Sequence, residues 1–152
     1  MTVRFDLGSV EPKAMQVMME LEHYVRSSGL DRTLIELIKV RASQINRCAF
    51  CIDMHTKDAR HAGEAEQRLY ALIAWEETPF FTPQERAVLA LTEAVTRIGE
   101  NGVTEALYAE VNQYFTPQQI AQLVMALVVI NAWNRLSISA RMLPGSYQVE
   151  AA

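Results

Sequence analysis

Apolar residues recur every three or four positions along most of this chain, the spacing that lines one face of an α-helix. The strongest match is formed by Leu34, Leu37, Ile38, Ala42 and Ile45. It predicts a helix that begins after Asp31, a suitable N-cap, and continues to about residue 46. An earlier amphipathic helix is expected to start at Pro12 and to end near Gly29. No long window alternates β-branched and polar residues, so the pattern predicts an all-α fold.

Two later helices have clear start signals. The tetrapeptide that begins at Thr82 reads Thr-Pro-Gln-Glu, and the one that begins at Thr116 reads Thr-Pro-Gln-Gln. Each offers a threonine N-cap, a proline at the first helical position and a later side chain that can reach back to the cap. Further helices are predicted over about 48–63, 64–75 and 104–114, followed by an irregular tail from 144. The chain is therefore predicted to form an all-α bundle of about six or seven helices, as a single domain over 1–152.

The final predicted helix is apolar almost all round between residues 120 and 130. Such a helix is enclosed by its own bundle or shared with a second subunit. Gln122 and Asn131 interrupt the apolar stretch, which falls short of the roughly 18–20 residues of a membrane span. Because one short chain has few positions that are covered on all sides, we expect a homo-oligomer and no membrane insertion.

Composition and charge narrow the class of protein. Half of the 152 residues are apolar and 21% are charged, the balance of an ordinary folded domain rather than a disordered or disulfide-dense chain. The 14 basic residues are outnumbered by 18 acidic ones and form no run, which makes nucleic acid a poor partner. Residues 1–15 contain scattered charges and no apolar segment, so we expect no secretory signal and a cytoplasmic protein.

Both cysteines fall within one tetrapeptide, Cys48-Ala49-Phe50-Cys51. In a cytoplasmic protein this spacing indicates redox or metal chemistry rather than a structural staple. His55 follows Cys51 by four residues, which on a helix places an imidazole one turn from a thiol, where it can act as a base and generate thiolate. Cys48 stands at the expected helix start, where backbone amides and the helix dipole also favour an anion.

Other interpretations of these residues stay open at this point. Free cysteines are common in protein cores, so the pair could simply be packed there. Zinc is a further alternative, and its candidate ligands are Cys48, Cys51, His55 and one of His61, Asp53 and Asp58. A structural zinc usually uses two such cysteine pairs, and this chain has one. Glu36, on the preceding helix, could orient His55 or relay a proton, but taken alone it is more simply interpreted as a solvated charge.

The glutamate, the cysteine pair and the histidine together match the spacing of a known family. The stretch 36–63, with Glu36, Cys48, Cys51, His55, Ala59 and Gly63, resembles the alkylhydroperoxidase D-like core of the carboxymuconolactone decarboxylase family. The later segment Asn131-Ala132-Trp133-Asn134-Arg135 is similar to part of that family's long final helix. The resemblance covers about residues 7–141 and is far more specific than the cysteine spacing alone.

The resemblance implies an all-helical fold that assembles into dimers, trimers or hexamers. It also implies a peroxidase that reduces small hydroperoxides without metal, haem or another cofactor, with electrons from an external dithiol. In that scheme Cys51 attacks the peroxide and Cys48 closes the disulfide, while His55 and Glu36 relay protons. The place of Cys48 at the helix start favours it instead as the more acidic thiol, so the order of the two cysteines stays open.

The sequence departs from some relatives at Phe50, where they carry a histidine. A relay through that histidine is therefore absent from this chain. The paired cysteines argue against the lactone decarboxylation of those family members that lack them. Two alternatives to a peroxidase are a general thiol–disulfide oxidoreductase and a non-enzymatic, redox-sensing helical oligomer.

Overall fold

The computed structural model describes residues 2–149, and within that range it contains helices and no β-strand. In chain order the elements are α1 (Leu7–Val10), α2 (Pro12–Ser27), α3 (Arg32–Asn46), α4 (Ala49–His61), α5 (Glu66–Ala71), a 3-10 helix (Leu72–Glu77), α6 (Pro83–Thr96), α7 (Glu105–Val111) and α8 (Pro117–Ala140). The all-α prediction is confirmed. Over residues 2–149 there are eight α-helices rather than six or seven, because the one-turn helix α1 precedes the predicted first helix.

The predicted start signals are used as N-caps. The Asp31 carboxylate accepts a hydrogen bond from the backbone N–H of Leu34 at 3.0 Å, which opens α3. Thr82 and Thr116 each form a complete capping box with the side chain three residues later, and each is followed by proline. These bonds satisfy backbone donors that the first helical turn would otherwise leave unpaired.

Helix α3 lies at the centre of the bundle and packs against α4, α6 and α8. Every residue from 34 to 43 is buried, including Glu36, Lys39 and Arg41. A charge that is removed from water on all sides must find its partners inside the protein. The burial of α3 therefore forces its charged side chains into internal ion pairs.

Helix α8 is enclosed by its own bundle over most of its length, since it packs against α2, α3, α4 and α6. Leu123, Leu127 and Ile130 are completely buried. The side-chain amide of Asn46 donates to Asn131 at 2.9 Å and to Asn134 at 2.8 Å. These bonds satisfy the amides inside the protein and connect the end of α3 to α8.

One stripe of α8 is left uncovered by the chain itself. Val128 is 46% exposed, and Val124 and Met125 beside it are half-buried. By length and composition alone α8 is also the one described helix that could cross a membrane, yet half of its most apolar window is buried in the bundle. A core helix passes the same test, and the contacts of α8 are those of a core helix. The cytoplasmic location stays a prediction.

The segment predicted as one helix over 64–75 is divided in two. Helix α5 ends at Ala71, and the 3-10 helix that follows has a non-helical residue, Ala74. The tail from 144 has no regular structure over the described residues, as predicted, and it lies against α4; residues 150–152 are outside the described range.

Candidate active site

The two cysteines lie at the junction of α3 and α4. Arg47 adopts a left-handed conformation with a φ of 57°, and the N–H of Cys48 donates to the Ser43 carbonyl at 3.0 Å. This arrangement ends α3 and turns the chain directly into α4. Cys48 is the N-cap of α4, and its sulfur accepts a hydrogen bond from the N–H of Cys51 at 3.4 Å. The predicted place of Cys48 at the start of a helix is confirmed.

Cys48 and Cys51 are joined by a disulfide that closes the first turn of α4, with a Cα–Cα distance of 5.3 Å. Both residues are buried, with 1% and 3% of their surface exposed. A short loop of this kind lets the same two sulfurs alternate between a dithiol and a disulfide with little movement of the backbone. The sulfurs are therefore placed for redox chemistry with each other.

His55 lies one turn beyond Cys51 on α4, and its partner is Glu36 of α3. The Nδ1 atom of His55 is 3.2 Å from Oε2 of Glu36, and the two residues are 5% and 7% exposed. Because Glu36 occupies Nδ1, the other ring nitrogen, Nε2, is the one left to exchange a proton. The expectation of Glu36 as a solvated charge is wrong, since the packing of α3 against α4 buries it against the imidazole.

The pKa of Glu36 is lowered from its ordinary value. Burial alone would raise it, but the hydrogen bond to His55, the charge of His55 and the charge of Lys39 together outweigh that effect. Glu36 is thus held as a carboxylate, the form that accepts the Nδ1 proton and stabilises an imidazolium. When His55 takes a proton, the anionic Glu36 balances the positive charge of the imidazolium, so no counter-ion from solvent is needed.

A second buried ion pair stands beside the first and was missed by the sequence interpretation. The Lys39 ammonium is 2.5 Å from Oε1 of Glu22 on α2, and the Lys39 side chain is 1% exposed. Arg26 also bonds to Glu22, at 3.0 Å. One sequence signal pointed to Lys39 but not to Glu22: Lys39 follows Glu36 by three residues, so the two opposite charges share a face of α3.

Asp58 is a further acidic group at the site. Its Oδ2 lies 4.0 Å from Nδ1 of His55, and its Oδ1 accepts a hydrogen bond from the Tyr147 hydroxyl at 2.7 Å. The sequence interpretation considered Asp58 only as a zinc ligand and did not consider Tyr147. No buried side-chain nitrogen or oxygen within 2–149 lacks a hydrogen-bond partner, so this polar cluster is internally satisfied.

The group that could hold a metal shares only His55 and Asp58 with the zinc interpretation. Ligand atoms of Glu36, His55 and Asp58 lie within 4.8 Å of one another. The cysteine sulfurs are bonded to each other and so are not thiolate ligands in this state. The negative charges of Glu36 and Asp58 are already compensated by two basic side chains. Lys39 interacts electrostatically with Glu36, and Arg26 interacts with both Glu36 and Asp58. The balance of charge fits a proton relay better than a cation site.

Comparison with known proteins places this site in a family. The sequence model of the Carboxymuconolactone decarboxylase family matches residues 12–94, which include the glutamate, both cysteines and the histidine. The uncharacterized protein YdfG of Bacillus subtilis is 46% identical over 139 residues, covering 91% of this chain and 95% of YdfG.

Two solved structures extend the comparison to the fold. A protein of unknown function from Agrobacterium tumefaciens, described as a candidate antioxidant defence protein AhpD, is 40% identical with a TM-score of 0.93, over 96% of this chain and 100% of that one. An uncharacterized peroxidase-related protein from Ralstonia eutropha, described as an alkylhydroperoxidase AhpD core, has a TM-score of 0.81 at 18% identity, over 91% of this chain and 74% of that one. The second likeness shows the fold alone. The chain belongs to the carboxymuconolactone decarboxylase family and has the AhpD-like helical fold.

Proposed function

We propose that this protein is a thiol-dependent peroxidase that reduces small hydroperoxides through a Cys48–Cys51 dithiol–disulfide cycle. The observation that carries the proposal is the buried cysteine pair at the start of α4, with the buried Glu36–His55 pair one turn further along the same helix. The fold shared with proteins described as AhpD-like supports it.

The cycle has three steps. A Cys51 thiolate attacks one oxygen of the hydroperoxide, the O–O bond breaks, and the alkoxide leaves with a proton as the alcohol, so the cysteine becomes a sulfenic acid. The Cys48 thiol then attacks that sulfur and expels water, which leaves the disulfide. An external dithiol reduces the disulfide by thiol exchange and supplies both electrons. His55 takes the proton from the attacking thiol and returns it to the leaving oxygen, while Glu36 holds its ring.

Burial of the sulfurs favours the peroxidase over a general thiol–disulfide oxidoreductase. With 1% and 3% of the cysteines exposed, a small hydroperoxide reaches them more easily than the disulfide of a folded partner protein. The same burial favours a small or flexible dithiol as reductant. Phe50 is half-buried beside the pair in sequence, in the position where some relatives carry a histidine, so His55 is the base that remains.

A peroxide consumption assay with a dithiol reductant tests the proposal. We expect many turnovers per chain with hydrogen peroxide or a small alkyl hydroperoxide, and none without the dithiol. A single oxidation per chain followed by arrest would support the redox sensor instead. Exchange with disulfides at a rate that peroxide reduction does not match would support the oxidoreductase.

The proton relay gives a first mutational prediction. His55→Ala should lower the rate of alkylation of the reduced protein and the rate of peroxide reduction by about 10²-fold or more, because general bases contribute on that scale. Glu36→Gln should act in the same direction and less strongly, since Glu36 holds the base. The matched control is His61→Ala, an exposed histidine at the end of the same helix. If both relay variants react at the wild-type rate, there is no relay.

The protein is further proposed to work as a homo-oligomer that covers the exposed stripe of α8. The stripe continues into a groove of about 410 Å³ between α2 and α8, whose lining includes Val17, Leu21, Tyr24 and Met125. Val17 and Tyr24 are 55% and 44% exposed. A second copy of the chain is the occupant that closed symmetry supplies most simply, because the same patch then covers itself.

Val128→Asp tests this assembly. Because Val128 is 46% exposed in the single chain, the substitution should leave the bundle folded and place a charge in the subunit contact, shifting the protein to monomers. Ile73→Asp, at a still more exposed apolar residue of the 3-10 helix (65%), is the control and should leave assembly unchanged. Sedimentation equilibrium distinguishes these outcomes, and a wild-type mass of 17.2 kDa at micromolar concentration would rule out the oligomer.

A further inference from the structure

The irregular tail after α8 is bonded to α4 at three places. The N–H of Gly145 donates to Oδ2 of Asp53 at 2.9 Å. The Lys57 ammonium donates to the carbonyl of Tyr147 at 3.0 Å, and the Tyr147 hydroxyl donates to Oδ1 of Asp58 at 2.7 Å. Three side chains of the helix that carries the cysteines and His55 therefore hold the tail in place.

The third of these bonds reaches the proton relay. Nδ1 of His55 has two carboxylates beside it, Glu36 at 3.2 Å and Asp58 at 4.0 Å. One ring N–H can be donated fully to only one of them. The Tyr147 hydroxyl donates to the other oxygen of Asp58, Oδ1, and offsets part of the Asp58 charge, because a hydrogen bond to a carboxylate withdraws charge from it.

We propose that Tyr147 is a positioning residue for the thiol chemistry, holding Asp58 so that Glu36 remains the acceptor of the His55 Nδ1 proton. The inference rests on the proposed function for its biological meaning. Glu36 and Asp58 face the imidazole directly. The other charged and titratable groups of the site are Glu22 and Arg26 from α2, Lys39 from α3, and Cys48 and Cys51 at the start of α4. Asp58 is the one of all these groups that accepts a hydrogen bond from the tail, through the Tyr147 hydroxyl.

The change of charge has a defined sign. Removal of the Tyr147 hydroxyl leaves the Asp58 charge less compensated, and a stronger negative charge favours the protonated form of every group close to it. The reduced protein should then need a higher pH before its thiol is alkylated. Removal of the Asp58 charge itself should have the opposite effect, since one anion near the site is lost.

Tyr147→Phe tests the proposal through the pH profile of alkylation of the reduced protein. We expect the part of the profile in which the alkylation rate rises with pH, its acid limb, to move to higher pH by about half a pH unit. The maximum rate at high pH should be unchanged. Asp58→Asn should move the acid limb to lower pH. In the Asp58→Asn background, Tyr147→Phe should cause no further shift, because the hydroxyl acts through Asp58. The matched control is Tyr70→Phe, which removes the hydroxyl of an exposed tyrosine of α5 that donates to Glu66 at 2.8 Å.

A merely structural role of Tyr147 gives a different result. The limb would then stay in place while thermal stability falls, or Tyr147→Phe would shift it equally with and without the Asp58 charge; either result overturns the proposal. If Tyr147→Phe fails to fold, Asp58→Asn decides alone, and an acid limb that stays at its wild-type pH or moves to higher pH in that variant would overturn the proposal. Alkylation uses no peroxide. If the protein shows no peroxide turnover, the proposed function is overturned, but the pH profile of alkylation still tests the role of Tyr147.

Discussion

Cys51→Ser should abolish peroxide reduction, whereas Cys48→Ser should react with peroxide once per chain and then stop. The serine hydroxyl does not attack the O–O bond at neutral pH, and in Cys48→Ser no thiol remains to convert the Cys51 sulfenic acid into a disulfide. Cys51 is one turn from His55, the buried base, and this proximity favours it as the attacking residue. Trapping of the sulfenic acid with a dimedone-type reagent and mass spectrometry of the labelled peptide test the assignment.

The competing order of the two cysteines has its own physical basis. Cys48 is the N-cap of α4, where the helix dipole and the N–H of Cys51 favour a thiolate. If this effect exceeds that of the nearby base, the label will appear on Cys48 in Cys51→Ser and not on Cys51 in Cys48→Ser. That result would reverse the two roles and leave the dithiol cycle intact. Double replacement of both cysteines by serine is the control, and it should give no label.

The local features of the fold followed from the sequence because their causes are local. The caps at Asp31, Thr82 and Thr116 depend on side chains within three residues of the helix start, so a short stretch of sequence carries the whole signal. The Cys51–His55 spacing is predictive for the same reason. Each of these predictions concerns residues within one or two helical turns of each other.

The division of the segment after Ala65 has a distant cause. Trp75 is 6% exposed, and its indole N–H donates to Glu93 of α6 at 2.9 Å. The Arg86 guanidinium, also on α6, donates to the carbonyls of Trp75 and Thr78. These contacts draw the end of the segment towards α6 and replace the α-helix by a tighter 3-10 turn. Helical periodicity does not reveal such contacts, because the residues involved lie more than one turn apart in sequence.

The candidate site shows the same division between local and distant causes. Spacing within α4 pointed to the cysteines and His55, whereas the residues alone left Glu36 as either a partner of His55 or, more simply, a solvated charge, and the family resemblance favoured the partner. The burial of Glu36 depends on how α3 packs against α4, and the partners Glu22 with Lys39 and Asp58 with Tyr147 lie 17 and 89 residues apart. The sequence of α3 is amphipathic, so it does not reveal that the charged side chains of this helix are buried. Because residues 34–43 are all buried in the structure, each charged side chain among them needs a partner from another element.

Lys39→Met should lower the free energy of unfolding by about 3–5 kcal/mol, the range found when one partner of a buried ion pair is removed. The Lys39 side chain is 1% exposed, and its loss leaves Glu22 buried with only the outer partner Arg26. The matched control is Lys57→Met, because Lys57 pairs with Asp53 at 2.9 Å with both side chains about a quarter exposed. That substitution should cost about 1 kcal/mol or less. Urea denaturation at pH 7 measures both values.

The pH dependence of stability separates the ion pair from simple packing. Burial would raise the pKa of Glu22, but the charge of Lys39 and its hydrogen bond, with those of Arg26, lower it below the ordinary value of 4.5. A carboxyl with a lower pKa in the folded state contributes stability that is present above pH 4.5 and is lost as the pH falls through the folded-state pKa. The double variant Glu22→Leu with Lys39→Met should recover most of the stability at pH 7, because apolar residues of similar size can replace a buried pair. It should also lose this part of the acid dependence. If Lys39→Met costs no more than Lys57→Met, the buried pair does not stabilise the fold. If the double variant keeps the full acid dependence of the wild type, that dependence does not come from Glu22.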